Sequence, residues 1–260
     1  MAGTGRIYLD HLAVGTQCWA DGYPVLVSTL GGRWAMGDDA GEFAPCQLAY
    51  RDGMHLEIIS PGSDGWSGFM RRFLDGSGPG PHHLTFHVPS LDAARDDLAA
   101  LGLSTFGGRD TPSWRESFLH PKEAGLGTLI QLAESDDDPS GPDQPAPDGF
   151  PGNPPEPASI AWIGLSAESV DFATALFRDA LGGAVAESGA GWRLFSWGPQ
   201  RRLLVRQSPV EPGAPPLWAV PTGVAHLAVG AAELSPDRLA VARPLDYDPR
   251  LGLPVFSVGG

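Results

Sequence analysis

Four apolar, strand-like segments each carry one ligand-type polar side chain at the centre, and this pattern constrains the chain more than any other feature. The segments are LDHLAV with His11, HLEIISP with Glu57, HHLTFHV with His83 and TLIQLAE with Gln131. In the third, Leu84, Phe86 and Val88 alternate with His83, Thr85 and His87, a period of two that specifies a strand with two different faces. A buried imidazole or carboxylate on such a face needs a partner. A single histidine so placed reads best as a hydrogen-bonded core residue. Four ligand-type residues on four similar strands read better as one cavity, with two imidazoles, a carboxylate and an amide oxygen suited to nickel, cobalt, iron, manganese or zinc.

The spacing repeats. His11 and Glu57 are 46 residues apart and His83 and Gln131 are 48 apart, as a duplicated unit requires. The first unit reads as a strand over 6–14, a less regular segment over 16–32 in which a helix would bury Val25, Leu26 and Leu30, and strands over 33–38, 44–51 and 54–61. Pro24 fits only the first turn of that helix. The second unit reads as strand 82–88, helix 91–101 with Ser90 as N-cap and Gly102 as stop, then three strands ending in LGTLIQLAE. The run WSGFMRRFLDG between the units suits a short amphipathic helix over the cavity mouth, with Trp66, Phe69 and Phe73 inward, or a plain connector.

Residues 135–157 are rich in Pro, Gly and Asp and nearly devoid of apolar side chains, which reads as a linker. The expected organisation is a domain over 1–134, the linker, and a second domain over 158–260. The second domain looks like an eroded copy, with SIAWIGL, GWRLFSWG, RRLLVRQSP, GVAHLAVG and LPVFSVGG as strands and a helix capped within SAESVDFATALFRDALGG. Pattern alignment puts Trp162, Val205, His226 and Ser257 at the four ligand positions, so no metal is expected there. Trp162, Trp192, Trp197 and Trp218 are expected to fill the space a site would occupy, or to be ordinary core.

The order strand-His, strand-Glu, HHLTFHV-helix and FLHPKEAGLGTLIQL resembles the vicinal oxygen chelate superfamily, nearest to its methylmalonyl-CoA epimerase and glyoxalase-like branch. The resemblance implies an α+β fold of tandem paired βαβββ modules in two domains. It implies one divalent metal ion held by His11, Glu57, His83 and Gln131, and a lyase, isomerase or dioxygenase acting on a small oxygenated metabolite. Two positions depart from the family. Gln131 stands where glyoxalase-like members carry a glutamate that is both ligand and base, and Gln47 stands at the third-strand base position. An amide holds no proton at neutral pH. Glu116 and His87, with His120 and Tyr50 behind them, are the candidates for a replacement base. His55, Arg115 and Tyr50 are the candidates for binding substrate. The alternative is a non-catalytic small-molecule or antibiotic-binding protein.

The formal net charge of −14 argues against nucleic acid as a partner. No apolar run approaches the roughly 20 residues of a membrane span, and no signal peptide is evident. Cys18 and Cys46 do not make a disulfide framework, so a cytoplasmic setting is the default. The expected partner is a small-molecule substrate or ligand, with homodimerisation left open.

Overall fold

The computed structural model describes residues 5–64, 68–135, 144–198, 201–208, 222–230 and 243–258. Trp66 and Trp218 lie outside them. Two mixed sheets account for the architecture, which is the expected α+β arrangement of βαβββ units.

The first sheet holds β1 (Tyr8–Gly15), β2 (Arg33–Gly37), β3 (Phe43–Ala49), β4 (His55–Pro61), β5 (Gly80–His87), β6 (Thr105–Phe106), β7 (Trp114–Leu119) and β8 (Leu129–Ser135). Their order is β2-β3-β4-β1-β5-β8-β7-β6. Each unit therefore starts in the middle of the sheet, crosses to its edge and works back inward, so that its fourth strand lies parallel beside its first. β1 and β5 meet antiparallel at the centre and join the units.

The helices follow from local chemistry. Pro24 opens a π-helical segment, Pro24–Thr29, that buries Val25, Leu26 and Val27. Helix α1 (Phe69–Ser77) turns Met70 and Leu74 inward, and its Phe69 and Phe73 rings pack against His82. Helix α2 (Leu91–Ala100) begins where the Ser90 hydroxyl accepts from the Ala93 amide and buries Leu91, Ala94 and Leu98. It ends before Gly102, whose φ of 76° is costly for other residues.

The second sheet runs β10 (Ala184–Gly189), β11 (Trp192–Ser196), β12 (Arg202–Gln207), β9 (Ile160–Ala167), β13 (Gly223–Gly230), β15 (Val255–Val258) and β14 (Arg243–Asp246). Helix α3 (Val170–Thr174), prolonged by a π-helical stretch to Ala180, follows β9. The duplication extends to irregularities. β1 and β5 carry one β-bulge each, at Asp10 and His82. β9 and β13 carry theirs at Ala161 and Ala225, the same places in the pairing.

One apolar core lies between the sheets. It contains Leu9, Leu56 and Phe86 from the first sheet and Leu165, Val205 and Leu227 from the second. The Phe86 ring sits 5.9 Å from Phe177 and 5.0 Å from Trp197. The described end of the linker packs on the first half: Phe150 meets Tyr23 and Trp34, and the Ala158 amide donates to the Leu30 carbonyl. Among the described residues, no helix is long and apolar enough to cross a membrane.

Candidate metal centre

The sheet pairing decides which side chains share the face turned away from the core. His11 pairs with His55 and Thr85, Ala13 with Glu57 and His83, and Thr85 with Gln131. Paired residues point to one side. His11, Glu57, His83 and Gln131 thus converge, with exposures of 3%, 7%, 5% and 8%. One ligating atom from each of His11, Glu57 and His83 lies within 4.8 Å of the other two. Both histidine Nε2 atoms stand 3.7 Å from Glu57 Oε2, too far for a hydrogen bond.

Both imidazoles are fixed from behind. Asp10 Oδ2 accepts from His11 Nδ1 at 2.8 Å, which leaves Nε2 facing the cluster. His83 Nδ1 is 2.8 Å from His82 Nδ1. Alternation in the sequence puts His82 on the opposite face from His83. The bulge corrects this: His82 is the unpaired residue between Ala13–His83 and Val14–Pro81, so its ring turns under α1 beside His83.

The amide of Gln131 is oriented by two partners. Its Nε2 donates to Glu116 Oε2 at 2.7 Å, and its Oε1 accepts from Thr85 Oγ1 at 2.6 Å. Thr85 Oγ1 also lies 2.9 Å from His11 Nε2. Glu116 accepts from Trp114 Nε1 at 2.8 Å as well. Gln47 pairs with Glu57 across β3 and β4, and its amide donates to that carboxylate.

Burial raises Glu57, partly offset by His11 and the Gln47 amide. Burial, with His82 and His11 adding to it, holds His83 far below the usual histidine range. Burial also pulls His11 down, but the Glu57 and Asp10 carboxylates outweigh it and its pKa is raised. Asp10 is lowered to about 2, its own burial overcome by the bond to His11 and by nearby His55 and Arg201. A neutral His83, a His11 turned by Asp10 and the Glu57 carboxylate that both face form a donor set that fits a divalent metal ion.

The remaining expected site residues divide. Glu116 and Gln47 reach the cluster. His55 neighbours His11 on the same face, with a buried Nδ1 that meets no partner and a pKa lowered by burial. His87 shares the face but lies at its end, stacked 4.9 Å from Tyr8, with Nε2 3.3 Å from the Ser135 carbonyl. Two residues point elsewhere. Tyr50 is one residue out of phase with Ala49, so it enters the core and donates to the Leu26 carbonyl at 2.7 Å. Arg115 is turned to the other side of β7 from Glu116 and is held by Asp92, Asp110 and Glu134. Thr85 and Asp10 were not singled out from sequence. Thr85 had a signal, its period-two spacing from His83; Asp10 had none, because its bulge is not written in the alternation.

The second sheet carries a filled counterpart. Gly164 pairs with His226 and Leu204, and Ala228 with Trp162 and Phe256. The positions matching Glu57 and Gln131 are therefore Leu204 and Phe256. Val205 and Ser257, expected from pattern, are each one residue off, and Val205 faces the core. His226 is fully buried and accepts from Trp162 Nε1 at 3.1 Å. Trp162, Leu194, Leu204 and Phe256 occupy the rest of that face, with Trp192 packed against them.

No family model matches the chain, and no curated protein matches it. Solved structures do. A hypothetical protein from Bacillus halodurans C-125 is 19% identical, with a TM-score of 0.46, over 52% of this chain and 98% of its own. Methylmalonyl-CoA epimerase from Mycobacterium tuberculosis is 26% identical, with a TM-score of 0.45, over 53% and 94%. A variant of the Streptomyces coelicolor methylmalonyl-CoA epimerase, in complex with 2-nitronate-propionyl-CoA, is 21% identical, with a TM-score of 0.43, over 51% and 100%.

Proposed function

We propose, for a chain with the paired βαβββ fold of the vicinal oxygen chelate superfamily, a divalent-metal-dependent enzyme that moves a proton on a small oxygenated metabolite. His11, Glu57 and His83 hold the ion and Gln131 Oε1 completes the set. The observation that carries the reading is the convergence of two oriented imidazoles on a buried carboxylate, with ligating atoms within 4.8 Å of one another. Burying these groups together without a cation is costly.

A bound divalent cation supplies Lewis acidity to substrate oxygens. The protein supplies the rest. Glu116 is the base: it is a carboxylate on the cluster's face, bonded to Gln131 and Trp114, and it stands in for the carboxylates that Gln47 and Gln131 lack. Gln47 holds Glu57 in place. His55 and His87 line the face beside His11 and offer hydrogen bonds to the substrate. Isomerase chemistry suits this layout better than dioxygenase chemistry, because a carboxylate outside the ligand set, Glu116, is bonded to Gln131 beside the cluster.

The second reading, a non-catalytic binder, is favoured by the two glutamines and by the filled second sheet. Two measurements separate them: metal content of the purified chain after mild dialysis, and deuterium uptake at the carbon next to the carbonyl for a panel of 2-substituted acids and thioesters. Stoichiometric metal with uptake that Glu116→Gln abolishes supports the enzyme. A chain that stays metal-free when offered nickel, cobalt, iron, manganese and zinc supports the binder.

A further inference from the structure

The second half reaches the centre of the first through one side chain. Arg201 lies in the turn joining β11 to β12, its backbone tied to Trp197 by a carbonyl that accepts from the Trp197 amide at 2.9 Å. Its guanidinium crosses to the first sheet. Nη1 donates to the Leu9 carbonyl at 2.6 Å and Nη2 to the Gly53 carbonyl at 2.9 Å. The group lies 4.3 Å over the Tyr8 ring, and Nη1 is 3.7 Å from Asp10 Oδ1.

These contacts fall on β1, which carries His11, and on the turn leading into β4, which carries Glu57. Leu9 precedes the bulge of β1 and Asp10 is the bulged residue, which accepts from His11 Nδ1 through its other oxygen. Gly53 closes the turn that leads into β4, two residues before His55 and four before Glu57. A bulge leaves local backbone groups out of the ladder, and here the Leu9 carbonyl finds its partner in the other half of the chain. A planar guanidinium can bridge two carbonyls and face a carboxylate at once, which a lysine ammonium cannot do with the same geometry.

We propose that Arg201 is a positioning residue for the metal centre, supplied to the first half by the second, and that holding this centre in shape is a function the second half retains without a metal set of its own. The inference rests on the metal reading of His11, Glu57 and His83. It acts through Asp10, which fixes the His11 ring, and through the relative placement of β1 and β4.

The test uses the full chain with Arg201→Met, Arg201→Lys and Asp10→Asn, and Trp197→Phe as a control in the same turn. Zinc and cobalt affinities are read by chelator competition well below each variant's melting temperature, and the His11 Nδ1 proton is followed by NMR in the metal-free protein. Losing an outer partner of a metal-bound histidine typically weakens binding by about 10- to 100-fold. Arg201→Met should weaken zinc by about tenfold, with part of the loss recovered in Arg201→Lys. Asp10→Asn should weaken it further, and Trp197→Phe should lower stability without changing affinity. The His11 proton signal should broaden or move upfield in Arg201→Met. Wild-type affinity with an unmoved His11 signal in Arg201→Met would overturn the inference and leave the metal reading intact. A wild type that binds no metal would overturn the metal reading, and an unmoved signal would then also reduce Arg201 to an ordinary contact.

Discussion

Gln131 and Glu116 are hydrogen-bonded from β8 to β7, amide nitrogen to carboxylate oxygen, at 2.7 Å. The bond spends the amide's donor on Glu116 and leaves Oε1 for the cluster, where Thr85 now donates to it. The amide is thus oriented as the proposed ligand role requires, with the Glu116 carboxylate bonded behind it.

Gln131 should be the weakest of the four proposed ligands, because an amide oxygen is a poorer donor than an imidazole nitrogen or a carboxylate. His11→Ala and His83→Ala should lower zinc affinity by more than about 100-fold, and Gln131→Ala by about tenfold or less, since outer and weak ligands cost on that scale. Chelator competition orders the three.

Gln131→Glu places a second carboxylate against Glu116. Like charges this close cannot both ionise without a cation, so one pKa rises. Metal affinity in this variant should therefore climb with pH more steeply than in the wild type, and adding Glu116→Gln should remove the extra slope. Affinity measured at four or five pH values reads both.

The metal-free protein should lose stability in acid through His82. Its pKa is lowered to about 4 by burial. A histidine whose folded pKa is depressed favours the fold when neutral, so its contribution is present above about 6.5 and lost as pH falls toward 4. Between pH 7 and pH 5 the loss is about 2 kcal/mol. Urea unfolding at the two pH values should show it, and His82→Asn should show less.

Trp162→Ala should destabilise the chain by about 3–5 kcal/mol, the range for emptying a large aromatic site in a packed region. Trp162 is among the largest fully buried side chains and holds His226. The same variant should leave metal stoichiometry unchanged, because the cluster lies on the other sheet. Thermal melts and elemental analysis check the two halves of the statement.

The domain division proposed from the linker has a distinctive outcome. Cleavage within 135–143 should yield two fragments that co-elute, since Phe86 packs on Phe177 and Trp197 and Arg201 binds Leu9 and Gly53. Fragments that separate without denaturant would count against a shared core. An early cut inside 82–133 would count against the division itself.

Alternation and spacing in the sequence locate the strands, the repeat and the strand positions of His11, Glu57, His83 and Gln131. Period-two alternation around His83, the matched separations of 46 and 48 residues, and the Ser90 and Gly102 signals are local, and local patterns survive without knowledge of what packs on them. Tertiary structure alone decided which neighbours of those positions matter. Bulges at Asp10 and His82 break the alternation and turn both residues toward the histidines they fix, and only strand pairing reveals a bulge. Register moved the counterpart positions in the second sheet by one residue, from Val205 and Ser257 to Leu204 and Phe256, because a single step exchanges the two faces. The bond from Gln131 to Glu116 and the reach of Arg201 to Leu9 join residues 15 and 192 apart. No spacing rule in the sequence links such pairs, since strand register brings the first together and the packing of one sheet on the other brings the second.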